Sequence, residues 1–137
     1  ADLENNKVQI FEDYGTGYSP EHSYYLYLSY MVEGRMRVSL PVKEGVKGIR
    51  IDPAETSCMV RMLAARLNEE ELPLSEPAYL AMNGWELFHT NDPNINIRLE
   101  KVEHSGNELL EVEFEIERLS EETASVLEAN LKRRRWF

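Results

Sequence analysis

The chain has 137 residues, of which 42% are hydrophobic, and its formal net charge at pH 7 is −10. A chain of this length forms one domain with a substantial hydrophobic core and is too short for two. Its 25 acidic residues against 15 basic ones repel a phosphate backbone, which argues against a nucleic-acid partner, and no apolar run approaches the ~20 residues that a transmembrane segment needs.

Short runs in which apolar and polar residues alternate predict a series of β-strands. The clearest run spans residues 110–117, where Leu110 and Phe114 belong to an apolar face and the intervening glutamates form a solvated face. In chain order, the predicted strands cover residues 8–11, 23–30, 36–40, 48–52, 59–67, 79–81, 86–90, 95–101 and 110–117. About nine strands with regularly spaced turn signals are typical of an antiparallel sandwich or barrel, and we expect an all-β, jelly-roll-like β-sandwich.

Glycine-containing turns separate several of these strands. Residues 15–17 follow the first strand, and residues 33–34 separate two others. Asn83-Gly84 predicts a tight hairpin in which residues 79–82 pair with residues 85–88, because both central residues of a type I′ turn have positive φ. Residues 105–107 are interpreted as another hairpin turn.

Two segments bear on the domain limits. Residues 59–71 also fit a helical pattern. We favour a strand at their start, because they follow the Asp-Pro turn at residues 52–53 and lie between predicted strands. After residue 119 the period becomes helical, with Ser120 as the N-cap and Ala124 on the apolar face. We therefore expect a β-sandwich over residues 1–119 and an amphipathic helix over residues 120–137 that leads to a further domain.

No residue pattern indicates catalysis. The single cysteine, Cys58, cannot form an intrachain disulfide, and its apolar surroundings predict a buried core residue in a cytoplasmic protein. His22, His89 and His104 lack the spacing of a metal-binding pair. The chain has no G-x-S-x-G nucleophile motif and no complete dinucleotide-binding motif. We predict no catalytic residue and no resident cofactor, with calcium as the one open possibility.

The calcium hypothesis concerns three aspartates in oxygen-rich turns, Asp13, Asp52 and Asp92. If these turns met at one end of the sandwich, their carboxylates would be suitable calcium ligands. Asp52 and Asp92 each precede a proline, which ends a strand because it fixes its own φ and lacks an N–H. The alternative is that the aspartates only shape these turns through hydrogen bonds to the local backbone.

Aromatic residues give the better indication of a binding surface. Tyr14, Tyr18, Tyr25, Tyr27 and Trp85 are candidates for stacking on the face of a sugar ring. Residues 23–30 contain too many large side chains for one buried face, so at least one tyrosine should point outwards. The alternative is that these rings lie at the edge of the core or pack on a neighbouring domain.

Several motifs occur in an order that resembles a known family. They are QIFEDYGTGYS at residues 9–19, LPVKEGVKGIRIDP at 40–53, CMVRML at 58–63, NG at 83–84 and FHTNDPNI at 88–95. Together they resemble the accessory β-sandwich found beside catalytic domains in large bacterial glycosyltransferases and related proteins of surface-polysaccharide synthesis.

This resemblance implies a non-catalytic module, either structural or in contact with glycan, in a protein whose transferase activity lies elsewhere. Its partners would be carbohydrate or the neighbouring catalytic domain. A stand-alone carbohydrate-binding module, with or without calcium, is the alternative. A jelly-roll sugar-modifying enzyme is a third hypothesis, and the scattered histidines count against it.

Overall fold

Alternating apolar and polar residues form strands through most of the chain. The computed structural model describes residues 7–32, 34–74, 80–89 and 93–134. Its elements are β1 (Lys7–Asp13), a 3-10 turn (Pro20–His22), β2 (Ser23–Tyr27), β3 (Ser29–Val32), β4 (Arg35–Val42), β5 (Gly48–Asp52), β6 (Cys58–Leu67), β7 (Glu70–Glu71), β8 (Leu80–Met82), β9 (Trp85–Phe88), β10 (Ile95–Arg98), β11 (Glu108–Arg118) and α1 (Glu121–Arg134). Within these residues, no helix combines the length and the apolar character needed to cross a membrane.

The strands form two antiparallel sheets. The four-stranded sheet has the order β10-β5-β1-β2, and the seven-stranded sheet has the order β3-β4-β11-β6-β9-β8, with β7 paired to the end of β6. The prediction of an all-β antiparallel sandwich with one C-terminal helix is confirmed. The described residues contain eleven strands rather than nine, because β7 adds a two-residue strand and Leu28 divides the predicted strand at 23–30 into β2 and β3, which belong to different sheets.

The core lies between the two sheets. The predicted apolar face of β11 is buried, and Phe114 is 0% exposed. The four-stranded sheet contributes Ile10 from β1 and Ile49 from β5, which are also fully buried. Burial of each such side chain stabilises the fold by about 1.5–3 kcal/mol, which explains why the alternation determines which face of each strand is inside.

The glutamates on the other face of β11 are not simply solvated as predicted. Glu113 has a side chain only 12% exposed and lies 3.3 Å from Arg66 on β6 and 3.9 Å from Arg37 on β4. Glu115 pairs with Arg61 on β6 at 2.6 Å. Because β11 lies between β4 and β6, its acidic face is compensated by arginines from both neighbouring strands.

The segment with the ambiguous pattern is a strand. Residues 58–67 form β6, and the chain then turns at Asn68 and Glu69, whose φ values are 49° and 70°, so that β7 pairs back on β6. The Asn83-Gly84 hairpin is also confirmed in the described residues. The two turn residues have φ values of 53° and 83°, and β8 pairs with β9 directly across them.

The hairpin interpretation of residues 105–107 is wrong. β10 lies in the four-stranded sheet and β11 in the seven-stranded sheet, so the chain crosses between sheets here. The turn is organised by Glu108, whose carboxylate accepts hydrogen bonds from the backbone N–H groups of Ser105 at 2.9 Å, Gly106 at 3.0 Å and Asn107 at 3.0 Å. These donors lower the pKa of Glu108.

The helix α1 packs against the outer side of the seven-stranded sheet. Ser120 is the N-cap, as predicted, because its Oγ accepts a hydrogen bond from the N–H of Thr123 at 3.1 Å. The apolar face of the helix buries Ala124 and Leu131, and Leu131 packs with Leu87 of β9. The helix therefore contributes a second, smaller apolar cluster to the same domain.

Candidate functional site

Three of the five candidate aromatic residues lie on the outer side of the four-stranded sheet. In β2, Tyr24 and Leu26 point towards the core, so the intervening Tyr25 and Tyr27 point outwards and are 56% and 60% exposed. Tyr18, from the segment after β1, lies over the same side of the sheet. We call the outer side of β2, β1, β5 and β10 the tyrosine face. It includes Gln9, Tyr25, Tyr27, Arg50, Asp52 and Asn96.

The strand register arranges this face in rows that cross the sheet. Tyr25 of β2 lies opposite Gln9 of β1, and Gln9 lies opposite Asp52 of β5. In the next row, Phe11 of β1 lies opposite Arg50 of β5, which in turn lies opposite Asn96 of β10. Tyr25, on the edge strand β2, is thus followed across the sheet by the planar polar side chains of Gln9 and Asp52.

Arg50 is held in place by two aromatic rings and a carboxylate. Its guanidinium group lies 4.2 Å from the centre of the Phe11 ring and 5.4 Å from that of Tyr18. It donates two hydrogen bonds to Asp52, from Nε to Oδ1 at 2.9 Å and from Nη2 to Oδ2 at 3.2 Å. This bidentate pair fixes the orientation of both side chains. Asp52 ends β5, as predicted, and the structure also makes it the partner of Arg50.

A second set of contacts orients Tyr25 on the edge strand β2. The hydroxyl of Tyr25 donates to Oε1 of Gln9 at 3.4 Å, and Nε2 of Gln9 donates to Oγ of Ser23 at 3.3 Å. The ammonium group of Lys7 lies 4.8 Å from the centre of the Tyr25 ring. Tyr25 is therefore exposed while its polar end is held by the adjacent strand.

Arg98 and Tyr18 close one end of the tyrosine face. Nη1 of Arg98 donates to Oδ2 of Asp13 at 3.2 Å and to the hydroxyl of Tyr18 at 3.3 Å. Both side chains cross Gly48, where a Cβ would lie 2.8 Å from the Tyr18 hydroxyl and closer still to Arg98. Glycine at this position of β5 leaves the space that these two side chains occupy.

Asp13 is occupied by hydrogen-bond donors. Its Oδ1 accepts from the backbone N–H groups of Gly15 at 2.7 Å and Gly17 at 2.9 Å. These bonds, and then Arg98 at the other oxygen, lower the pKa of Asp13. Both glycines have positive φ, 113° and 95°, which the turn around the carboxylate requires. The turn-shaping interpretation therefore accounts for Asp13.

The structure does not bring two of the candidate calcium ligands, Asp13 and Asp52, together. Asp13 lies opposite Gly48 at one end of β5, whereas Asp52 is at the other end, about 13 Å away at ~3.3 Å per residue. Asp92 lies outside the described residues. Among the described residues, no group of three or more His, Cys, Asp or Glu side chains is placed to hold a metal ion.

The remaining two aromatic candidates lie away from the tyrosine face. Tyr14 packs against the core, with its ring 4.9 Å from that of His22 and its hydroxyl donating to Glu12 at 3.3 Å. Trp85 belongs to β9 of the other sheet, where its ring is 5.1 Å from the guanidinium group of Arg61. Neither can act together with Tyr25 and Tyr27 on one ligand.

Sequence reasoning missed a cavity of about 690 Å³ between the two sheets. Phe88 of β9 and Ile97 of β10 contribute to its apolar wall, while Lys101 and Glu100 belong to its polar lining. These residues come from separate segments whose sequence spacing carries no common pattern. No local signal could therefore have predicted this cavity.

Comparisons with protein-family models, curated proteins and solved structures found no match to this chain. The resemblance to an accessory domain of glycosyltransferases therefore stays a prediction from sequence motifs.

Proposed function

We propose that this domain is a non-catalytic accessory module that contacts glycan through the tyrosine face, within a glycosyltransferase-like protein of cell-surface glycan synthesis. The observation that carries the proposal is the pair Tyr25 and Tyr27, exposed on one strand beside planar polar side chains. Large exposed aromatic rings in such a setting are typical of a recognition surface.

The chemistry of the face suits a sugar ring. A pyranose presents C–H groups on its faces and hydroxyl groups around its rim, so a ligand of this type needs both an aromatic surface and hydrogen-bond partners. Tyr25 and Tyr27 supply the aromatic surface, while Gln9 and the Arg50–Asp52 pair lie on the adjacent strands. Because hydrogen bonds already hold several of these side chains, little conformational entropy is lost when a ligand binds.

The parent protein is proposed from the motifs at residues 9–19, 40–53 and 88–95, which resemble the accessory domain of glycosyltransferases. A cytoplasmic location is part of the same proposal, and the free, buried thiol of Cys58 supports it. A stand-alone carbohydrate-binding module would use the same tyrosine face. For that alternative, Asp13 and Asp52 lie at opposite ends of β5 and are too far apart to share one calcium ion.

The first experiment is a glycan panel screened against the chain by isothermal titration calorimetry. We expect millimolar or tighter binding to at least one glycan, and a loss of about tenfold or more in affinity in the Tyr25→Ala, Tyr27→Ala double variant. Trp85→Ala is the matched control, because it removes an aromatic ring from the other sheet and should leave the affinity unchanged.

Three results would contradict the proposal. The first is that no glycan in the panel binds. The second is that the double variant binds as tightly as the wild type, and the third is that Trp85→Ala weakens binding as much as the double variant does. Circular dichroism and a melting temperature for each variant show whether it is folded, so that a loss of glycan binding can be assigned to the altered tyrosine face and not to unfolding.

A further inference from the structure

The tyrosine face is wider than one sugar ring. The row that contains Phe11, Arg50 and Asn96 begins at Ser23 on β2 and therefore crosses all four strands. With neighbouring strands about 4.8 Å apart, three strand spacings span ~14 Å. Hydrogen-bonding side chains are thus distributed over a length that only several linked sugars can cover.

The row from Ser23 to Asn96 reaches an edge of the sheet at both ends. β2 and β10 are the outermost strands of the four-stranded sheet. Tyr25 and Tyr27 are exposed on β2, and Asn96 is exposed on β10, where its Nδ2 donates to Oδ1 of Asn94 at 2.6 Å. Tyr25 and Asn96 lie in adjacent rows, so a linear ligand that crosses the strands obliquely between them can extend past either edge, which suits the interior of a chain better than its end.

The charges on the face compensate one another. Arg50 pairs with Asp52 at 2.9 Å, and Arg98 pairs with both Asp13 at 3.2 Å and Glu100 at 3.0 Å. The whole chain carries a formal charge of −10, so an acidic polysaccharide approaching this face would meet net repulsion. Hydrogen bonding without net positive charge favours an uncharged ligand.

We infer that the tyrosine face binds an internal stretch of an uncharged glycan chain, which lies across the strands from β2 to β10. This inference rests on the proposed function and adds the class of ligand and its direction. The aromatic end at Tyr25 and Tyr27 holds one sugar, and successive sugars contact the side chains of β1, β5 and β10. Affinity should then depend on chain length.

The experiment measures affinity against three neutral series, from maltose to maltohexaose, cellobiose to cellohexaose and mannobiose to mannohexaose, together with the two free monosaccharides, glucose and mannose. For the series that binds, we expect affinity to increase by about tenfold or more from the disaccharide to the hexasaccharide. An oligogalacturonide of equal length should bind about tenfold more weakly at low salt than the neutral hexasaccharide.

A variant at the far edge tests the direction. Asn96→Ala should lower affinity for the hexasaccharide by about threefold or more while leaving the disaccharide unaffected, because the shorter ligand occupies the tyrosine end. Asn107→Ala is the matched control, since this exposed asparagine lies in the turn before β11. The melting temperatures of both variants should match that of the wild type.

The possible failures are distinguishable. If a monosaccharide binds as tightly as the hexasaccharide and the Tyr25→Ala, Tyr27→Ala variant loses that binding, the face recognises a single sugar and the inference is overturned while the proposed function stands. Tighter binding of the oligogalacturonide would likewise overturn the inference alone. If no member of any series or of the wider panel binds, the proposed function fails and the inference fails with it.

Discussion

At the scale of single residues, Asp13 shows how hydrogen bonds can hold an acidic turn without a metal ion. Two backbone N–H groups and an arginine already donate to its carboxylate. Each of these donors places positive charge where a cation would have to bind. The carboxylate itself organises the turn, because it lies at the centre and accepts hydrogen bonds from the surrounding backbone.

Replacing this carboxylate should therefore cost stability. Asp13→Ala removes a buried acceptor of charge-assisted hydrogen bonds from two backbone N–H groups and Arg98, so we expect the free energy of unfolding to fall by about 2 kcal/mol. Urea denaturation monitored by circular dichroism measures this change. Glu103→Ala, which removes an exposed carboxylate, is the control and should change stability by less than about 0.5 kcal/mol.

The same variant has a defined pH dependence. Because the pKa of Asp13 is lowered in the folded state from its ordinary 3.8, the stabilisation is fully present above that value and is lost as the pH falls through the lower, folded pKa. The stability difference between wild type and Asp13→Ala should shrink only in strong acid. A difference that stayed constant from neutral pH to below the folded pKa would contradict this account.

At the scale of elements, His89 joins the helix α1 to the end of β9. Its Nε2 lies 3.0 Å from Glu121, and its Nδ1 lies 3.4 Å from Glu128, about two turns further along the helix. The hydrogen bond to Glu121 is the largest cause of the raised pKa of His89, and the histidine in turn lowers the pKa of Glu121. One ring thus contacts two carboxylates on the helix.

The contribution of this contact should disappear at alkaline pH. Because the folded pKa of His89 is raised above its ordinary 6.5, the stabilisation is fully present below that value and is lost as the pH rises through the folded pKa. We expect His89→Gln to remove this pH-dependent step from the urea midpoint. In the wild type, the ring of His104 lies beside the backbone carbonyl of Val102, so the His104→Gln variant should retain the pH-dependent step. The same step in both variants would contradict this role of His89.

At the scale of the whole molecule, the two sides of each sheet have different roles. Phe114 is fully buried between the sheets, whereas Tyr27 is 60% exposed on the tyrosine face. We expect Phe114→Ala to lower the free energy of unfolding by about 3–5 kcal/mol. Tyr27→Ala should lower it by less than about 0.5 kcal/mol.

Thermal denaturation of Phe114→Ala and Tyr27→Ala tests whether the buried side chain supports the fold and the exposed tyrosine does not. Comparable destabilisation by Tyr27→Ala would mean that the exposed tyrosine supports the fold, and a loss of glycan binding in that variant could no longer be assigned to the face. The melting temperature of Tyr27→Ala, measured beside that of Phe114→Ala, therefore also serves as the stability control for the binding experiments.

Much of the fold could be predicted because its signals are local. Alternation along β11 identified the buried face that contains Phe114, and the need for positive φ at Asn83 and Gly84 identified the hairpin between β8 and β9. The turn at residues 105–107 contains similar residues, yet it connects two sheets. A turn sequence specifies that the chain reverses, but not which strand becomes its hydrogen-bonded partner.

The candidate site shows the same limit. The sequence by itself identified the aromatic residues, since alternation in β2 requires some tyrosines to point outwards, and it determined the class of fold through the period of its apolar residues. Only the tertiary structure separated Tyr14 and Trp85 from Tyr25 and Tyr27, and only it placed Gln9 and Asp52 beside Tyr25. The physical reason is that periodicity acts between neighbours in the chain, whereas a binding surface depends on the register of strands that are far apart in sequence.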